Sequence, residues 1–422
     1  MASARRGRMA VVVRYFPKLS ETFIAQEIRL LEERGLAIDV FAMPRDHQEP
    51  VQPVARSLRA PIRYFPAPGA GRAELARANL RAFARQPLRY LRTWLRAGLE
   101  HRKRRGRKRL RRFYQAGWLA AGPPGGGPPA HLHTHFLYEP SEIGRYAAAI
   151  AGVPHTIEAH AKDIYLAKPK LVAELVNDAD ALLTCTGFGA AYIRDLPGVD
   201  PDKVHVVYHG VDTEAFQPAS GTREPGPLRL VSVGRLVAKK GYDDVLEALS
   251  MLRTRGVEFV YEIYGDGRLR DALEERIRKL ALEERVFLRG PVTHDVVMGA
   301  LRGSDVFVCG SRPTEDGDRD GIPNSLAEAM ACGLPAVATD VSGIPELVED
   351  GRSGRVVPPG DPAALAEALL AIAGDPSAAA RLGRQARERV LSVFDCRRCI
   401  DDCADVLRAL SPGLFTGTDP GA

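Results

Sequence analysis

Nowhere does the chain run to about 18 consecutive apolar residues, so no helix is expected to cross a bilayer. Its start, MASARRGRMA, leads straight into a short apolar stretch. The apolar core and small-residue cleavage site of a secretory signal are missing there, so a cytoplasmic protein is expected, with peripheral attachment to the inner face of a membrane. A three-glycine dinucleotide fingerprint is also missing. Gly265-Asp266-Gly267 follows a strand-like run but lacks the third glycine, which argues against a nicotinamide oxidoreductase. Cysteine is scarce, at 6 residues. Cys185, Cys309 and Cys332 sit in apolar runs and are expected as reduced thiols in packed surroundings. Cys396, Cys399 and Cys403 fall at i, i+3 and i+7, one face of a helix, with no fourth ligand nearby, so packing is expected rather than a metal. The run HLHTH sets His131, His133 and His135 on one face of a strand, where packing is again the expectation.

What is present is ordinary for a globular protein: 422 residues, 45% hydrophobic and 27% charged. That length exceeds one compact core and predicts two domains. The net charge of +6 is uneven. Arg81 to Arg112 holds 14 Lys or Arg against one acid, Glu100, so the rest of the chain is net acidic. Arg81, Arg85, Arg89, Arg92 and Arg96 are spaced as one helical stripe. Leu88, Leu91, Leu95 and Leu99 form another. Clustered Arg beside Leu and Trp94 suits a helix lying on an anionic lipid surface. A solvated Arg-rich face is the plainer alternative. Nucleic acid is not expected as a partner, since stacking aromatics are few.

Periodicity predicts a β-loop-α-β start: strand 9–16, turn Pro17–Thr22, helix 22–34 stopped by Gly35, strand 36–42. Residues 71–121 read as a basic helical insertion broken at Pro87, followed by the loop GPPGGGPP. Strands are predicted at 131–135, 155–160, 181–184 and 204–208, with helices at 140–151, 168–177 and 187–195. A second series opens at 228–233. Its strands follow near 259–264, 286–288, 305–309, 335–338 and 355–357, and its helices at 241–255, 268–282, 295–302, 324–332 and 361–373. The fold class is α/β: two Rossmann-like domains, 1–216 and 217–395, with a terminal helix at 396–410 returning to the first domain and a disordered tail at 411–422.

Two stretches carry chemistry. In SVGRLVAKKGYDDVLEAL a strand runs into Gly234, then a cationic loop, then a helix. Arg235 and Lys240 beside a helix N-terminus suit a diphosphate; an ordinary solvated loop is the alternative. In the second stretch Asp320 lies in a Gly-rich loop and Glu328, eight residues on, lies on the following helix, with Asn324 as its cap and Gly333 as its end. A carboxylate there can accept two hydrogen bonds from a ribose diol. Beyond it, the loop Thr339–Gly343 leads into a short helix, so the amides of Ser342, Gly343 and Ile344 can hold another part of a donor. A lone histidine after a strand, such as His160, is more often structural.

The order of these pieces, followed by EAMACGLPAVATDVSGIPELV, closely resembles the family 4 retaining glycosyltransferases of the GT-B fold. YFPKLSETFIAQEIRLLEERG at 15–35, HTHFLYEPSEIGRYAAAIAGVPHTIEAHAKDIY at 133–165, DALLTCTGFGAAYI and VVYHGVDTEAF resemble the branch that builds colanic-acid-type or amylovoran-type exopolysaccharides. The resemblance implies two domains facing across a cleft and transfer of a sugar from a UDP- or GDP-sugar to a saccharide acceptor, lipid-linked, with retention. It places Arg235 and Lys240 on the donor diphosphate, Glu328 on the ribose, Asp320 near the donor sugar and His160 near the reacting sugar. Asp320 stands where the family usually has Glu, one methylene longer. The leaving diphosphate would act as base, with no cofactor and no metal required. A sugar-nucleotide epimerase of the same fold, or a catalytically weak nucleotide-sugar-binding protein, are the competing readings.

Overall fold

The computed structural model describes residues 7–18, 21–44, 52–67, 71–104, 108–124, 126–219 and 226–415. Ser20, the candidate cap in the Pro17–Thr22 turn, and residues 105–107 of the basic segment lie outside them. The chain forms two compact units: Met1–Thr184 with Ala190–Val207 and Ile400–Ala422, and Cys185–Gly189 with Tyr208–Cys399.

The N-terminal unit is built on seven parallel strands: β1 (Arg8–Val12), β2 (Ala37–Ala42), β3 (Ile62–Tyr64), β4 (His131–His135), β5 (His155–Ala159), β6 (Ala181–Thr184) and β7 (Val204–Val206). Their order is β3-β2-β1-β4-β5-β6-β7. The C-terminal unit has six: β8 (Leu228–Val233), β9 (Phe259–Tyr264), β10 (Val286–Gly290), β11 (Val306–Cys309), β12 (Ala336–Thr339) and β13 (Gly354–Val357), ordered β10-β9-β8-β11-β12-β13. Both sheets are wholly parallel and covered on both faces, which is why runs such as MAVV and AVAT are continuously apolar rather than alternating. In each sheet the order reverses once, at β1/β4 and at β8/β11. In open α/β sheets ligands bind beyond the carboxyl ends of the strands at such a reversal.

Most predicted elements stand within one or two residues of their expected ends. Strand 9–16 is shorter than its apolar run and stops at Val12. Gly35, at φ 86°, ends the first helix, and Leu36 N–H returns to the Leu31 carbonyl. Pro87 opens a new helix, Pro87–Arg104, after Gln86 interrupts the run. Arg81 and Arg85 therefore do not share a helix with Arg89, Arg92 and Arg96. The expected boundary at 216/217 falls inside the C-terminal unit, because Phe216 is buried there and Val211 N–H bonds Phe394 O. The presumed tail is ordered at its start: Pro412–Leu414 forms a 3₁₀ turn, Leu414 is buried, and Ser411 Oγ lies 2.8 Å from His131 Nδ1.

The insertion is part of the N-terminal core. Trp118 packs edge-on against Phe41 at 5.9 Å and near Phe65 at 5.5 Å. Phe113 and Ala116 of the same helix are fully buried. Glu100, the lone acid of the basic segment, binds the buried Arg145 and accepts from Tyr146 Oη at 2.7 Å. Burial alone would raise the Glu100 carboxyl; Arg145, Tyr146 and Arg96 hold it below its usual range. All six cysteines are free thiols, with Cys396, Cys399 and Cys403 buried on one helix.

Candidate functional site

At the β8/β11 reversal the chain leaves β8 through Gly234 and leaves β11 through Gly310 and Ser311. Backbone segments approach one another closely here. A Cβ on Gly265 would sit 2.1 Å from the Gly234 carbonyl oxygen, and one on Gly267 would sit 2.5 Å from that of Leu236. The Gly-Asp-Gly turn is thus a steric requirement of the neighbouring Gly234–Leu236 backbone. Gly241, at φ 59°, would place a Cβ 1.9 Å from the Gly310 carbonyl oxygen. The loop between Gly234 and Gly241 contains one 3₁₀ turn, Ala238–Lys240, which presents both lysines side by side.

Lys240 Nζ lies 2.8 Å from Asp320 Oδ2, and Ser311 Oγ donates to the same oxygen at 2.8 Å. Lys239 Nζ lies 3.4 Å from Asp320 Oδ1 and 3.0 Å from Asp318 Oδ1. Burial alone would raise the Asp320 carboxyl, but the two ammonium groups and the Ser311 hydroxyl hold it below the ordinary carboxylate range. Burial alone would lower the Lys240 ammonium; Asp320 carries it above its usual value. Both groups are therefore charged near neutral pH. The short Asp320 side chain is drawn to the lysines. Arg235 is exposed at the same turn.

One expectation about this turn changes. The helix after it, Tyr242–Thr254, carries Asp243 and Asp244 in its first turn, and both bind Arg312, at 2.7 Å and 2.9 Å. Those carboxylates already meet the positive end of the helix dipole. An anion here would be met by Arg235 and Lys240 side chains rather than by the helix itself.

The helix Asn324–Ala331 is fixed beside the turn by Ser325 Oγ, which donates to the Val233 carbonyl at 2.7 Å. Pro323, not Asn324, occupies its cap position, and Asn324 is the first helical residue, with no side-chain cap bond. Gly333, at φ 77°, ends it, with Leu334 N–H returning to Ala329 O. Glu328 is half-buried on this helix. Its Oε1 lies 3.8 Å from His294 Nε2, and the His294 ring packs on Phe216 at 5.0 Å. Glu328 raises the His294 imidazole above its usual range.

Of the three amides expected to bind a donor, Ile344 N–H instead donates to the Val341 carbonyl at 3.0 Å, closing the turn. Ser342 is held at φ 51°. Gly343 is required by Thr186, whose Cγ2 would lie 2.5 Å from a Cβ. Glu346 is occupied structurally, accepting from Gly187 N at 2.7 Å, Phe188 N at 2.8 Å and Tyr208 Oη at 2.8 Å.

His160 belongs to the N-terminal unit. It caps the helix Ala161–Leu166, and Asp163 accepts its backbone N–H at 2.9 Å and that of Leu137 at 2.6 Å. The imidazole is boxed by Phe23 at 4.8 Å, Phe136 at 4.6 Å and the parallel ring of His135 at 5.8 Å. Lys239, Ser311, His294 and the Arg312–Asp243–Asp244 cluster were not anticipated. Only Lys239 had a sequence signal, its adjacency to Lys240.

The Glycosyl transferases group 1 family model matches residues 213–389, and the Glycosyltransferase Family 4 model matches residues 20–215. An Escherichia coli K12 protein provisionally named as the colanic acid biosynthesis glycosyltransferase WcaL is 30% identical over 410 residues, spanning 94% of this chain and 98% of that one. The amylovoran biosynthesis glycosyltransferase AmsK of Erwinia amylovora is 34% identical over 257 residues, 61% of each chain. The fold matches that of Anabaena Alr3699/HepE, crystallised with UDP, at a TM-score of 0.70 and 17% identity, covering 96% of this chain and all of that one.

Proposed function

Because this chain belongs to the family 4 glycosyltransferases of the GT-B fold, on the branch of the colanic-acid and amylovoran enzymes, we propose that it moves a sugar from a nucleoside diphosphate sugar to a saccharide acceptor with retention of configuration. The observation that carries the reading is the charged turn at the β8/β11 reversal, which carries the exposed Arg235 and sets Lys240 beside Asp320. Arg235 and Lys240 bind the donor diphosphate and stabilise it as it departs. Glu328 accepts from the ribose hydroxyls, and the Ser342 and Gly343 amides hold another part of the donor. Asp320 orients the donor sugar once the diphosphate competes for Lys240. His160 supports the reacting sugar. The acceptor hydroxyl attacks on the face from which the diphosphate leaves, and a diphosphate oxygen takes its proton. No metal is required at this step.

The acceptor is a lipid-linked saccharide, met at an anionic membrane surface. On the helix Pro87–Arg104, Leu88, Leu95 and Leu99 are 70%, 58% and 60% exposed, beside Trp94 at 46% and the exposed Arg89 and Arg92, while Arg96 is paired with Glu100 and Asp178. An apolar stripe left in water next to a cationic one suits the headgroup region, where each basic residue contributes about 1 kcal/mol.

The test is a panel of UDP- and GDP-sugars with lipid-linked acceptors, UDP-sugars first because the Anabaena fold neighbour was crystallised with UDP. The expected result is acceptor-dependent release of one nucleoside diphosphate and a product whose anomeric configuration, read by NMR, matches the donor. Epimerised donor formed rapidly without acceptor, or no turnover of any donor, overturns the proposal. Anionic vesicles should sediment the protein, and Leu88, Leu91, Leu95 and Leu99→Ser together should abolish this.

A further inference from the structure

We propose that Glu27, His133, His135 and Glu158 hold a zinc ion inside the N-terminal unit. Three elements converge there: Glu27 from the helix Thr22–Glu33, the two histidines from β4 and Glu158 from β5. One ligand atom from each lies within 4.8 Å of the others. His133 Nε2 is 3.1 Å from Glu27 Oε1 and 3.5 Å from Glu158 Oε2. His135 Nε2 is 3.6 Å from Glu27 Oε1, and its Nδ1 is 3.3 Å from Glu158 Oε2. Zinc bonds of roughly 2.0–2.1 Å in a tetrahedron place neighbouring ligand atoms about 3.3 Å apart. The two His133 separations match such edges, and so does one of the two His135 separations, since His135 can ligate through only one of its nitrogens.

Charge and second-layer bonding agree with the geometry. Two carboxylates and two neutral imidazoles around Zn²⁺ sum to zero, as deep burial requires. Both histidine side chains are wholly buried, and the Glu27 and Glu158 side chains are 11% and 4% exposed. Behind the site, His133 Nδ1 lies 2.7 Å from Thr156 Oγ1, which lies 3.0 Å from His131 Nε2, and His131 Nδ1 lies 2.8 Å from Ser411 Oγ. If His133 Nδ1 donates to Thr156, the hydroxyl donates onward to His131, and His133 Nε2 turns its lone pair to the metal. This is the outer support that metal-bound histidines ordinarily have. Four protein ligands close the coordination sphere, so the ion is structural: it ties helix to sheet and, through the parallel His135 ring, sets the position of His160.

The experiment uses the full chain, stripped with a chelator and titrated with Zn²⁺ or Co²⁺. The expected result is about one metal per chain by elemental analysis, a rise in Tm on Zn²⁺ addition, and the intense visible bands of four-coordinate Co²⁺. Glu27→Gln and His133→Gln should each lose the metal and the Tm response, while Lys240→Met retains both. Glu27→Gln, at the most exposed ligand, remains informative if His133→Gln does not fold, and the wild-type stoichiometry needs no variant. Absence of stoichiometric metal with no Tm change in the wild type overturns the proposal, as does metal retained by both ligand variants. Neither result depends on whether the protein transfers sugar.

Discussion

Lys240→Met isolates the ammonium at the centre of the candidate donor site. The substitution keeps most of the apolar stem and removes the charge 2.8 Å from Asp320 Oδ2. Breaking a buried ion pair outright typically costs about 3–5 kcal/mol. Here Asp320 keeps the Ser311 hydroxyl at 2.8 Å and Lys239 at 3.4 Å, so about 1–3 kcal/mol of destabilisation is expected. Lys240→Met/Asp320→Asn leaves no uncompensated carboxylate and should regain part of that loss in urea unfolding. The pH dependence has a definite sign. Asp320 is held below its usual range in the native state, so the pair's contribution is present above the unfolded value near 3.9 and is lost as pH falls through the folded value. The gap between wild type and Lys240→Met should therefore close below about pH 4. On the role proposed for Lys240 at the departing diphosphate, kcat should fall roughly 10²–10³-fold, in both the single and the double variant. Single-turnover release of nucleoside diphosphate reads this directly. Wild-type kcat in Lys240→Met, or a double variant less stable than the single one, refutes the reasoning.

Glu328→Ala should weaken nucleoside diphosphate binding about 10–100-fold in calorimetry, the value of hydrogen bonds to a charged group, with kcat at saturating donor changed far less. Gly241→Ala should destabilise the C-terminal unit by more than about 2 kcal/mol, since the new Cβ meets the Gly310 carbonyl oxygen at 1.9 Å and φ is 59°; an unchanged Tm would contradict the packing described. Asp163, pushed up to about 7 by burial, favours its protonated form in the fold. Its contribution is full below the unfolded value near 3.9 and is lost as pH rises to about 7, so the stability of wild type relative to Asp163→Asn should fall between about pH 4 and 7 and stay flat above. Equal urea midpoints for the two proteins throughout that range would exclude this.

Local physics made much of this protein legible without coordinates. Short, apolar-rich runs bounded by turn residues read as strands, so 181–184, 228–233 and 259–264 could be delimited to the residue. Gly35 and Gly333 had to follow helices because a left-handed residue ends them at least cost there. The strand–turn–helix around Gly234, with Arg235 and Lys240 in its loop, was visible because it is contiguous in sequence.

Contacts between distant segments were not visible. The three-residue β3 is too short to show a period, and the role of Glu100 depends on Arg145, 45 residues away. Asp243 and Asp244 looked like ordinary acids until Arg312 was placed against them. The histidines of HLHTH gave only a spacing. Glu27 and Glu158 stand 106 and 25 residues from His133, and only the packing of one helix and two adjacent parallel strands brings their side chains together. Sequence alone determined the alternation, the turns and the charge of the Gly234–Gly241 loop, because those follow from neighbours along the chain. Tertiary structure alone decided which charges are paired and which polar atoms converge, because burial and distance arise only when strands far apart in sequence lie side by side.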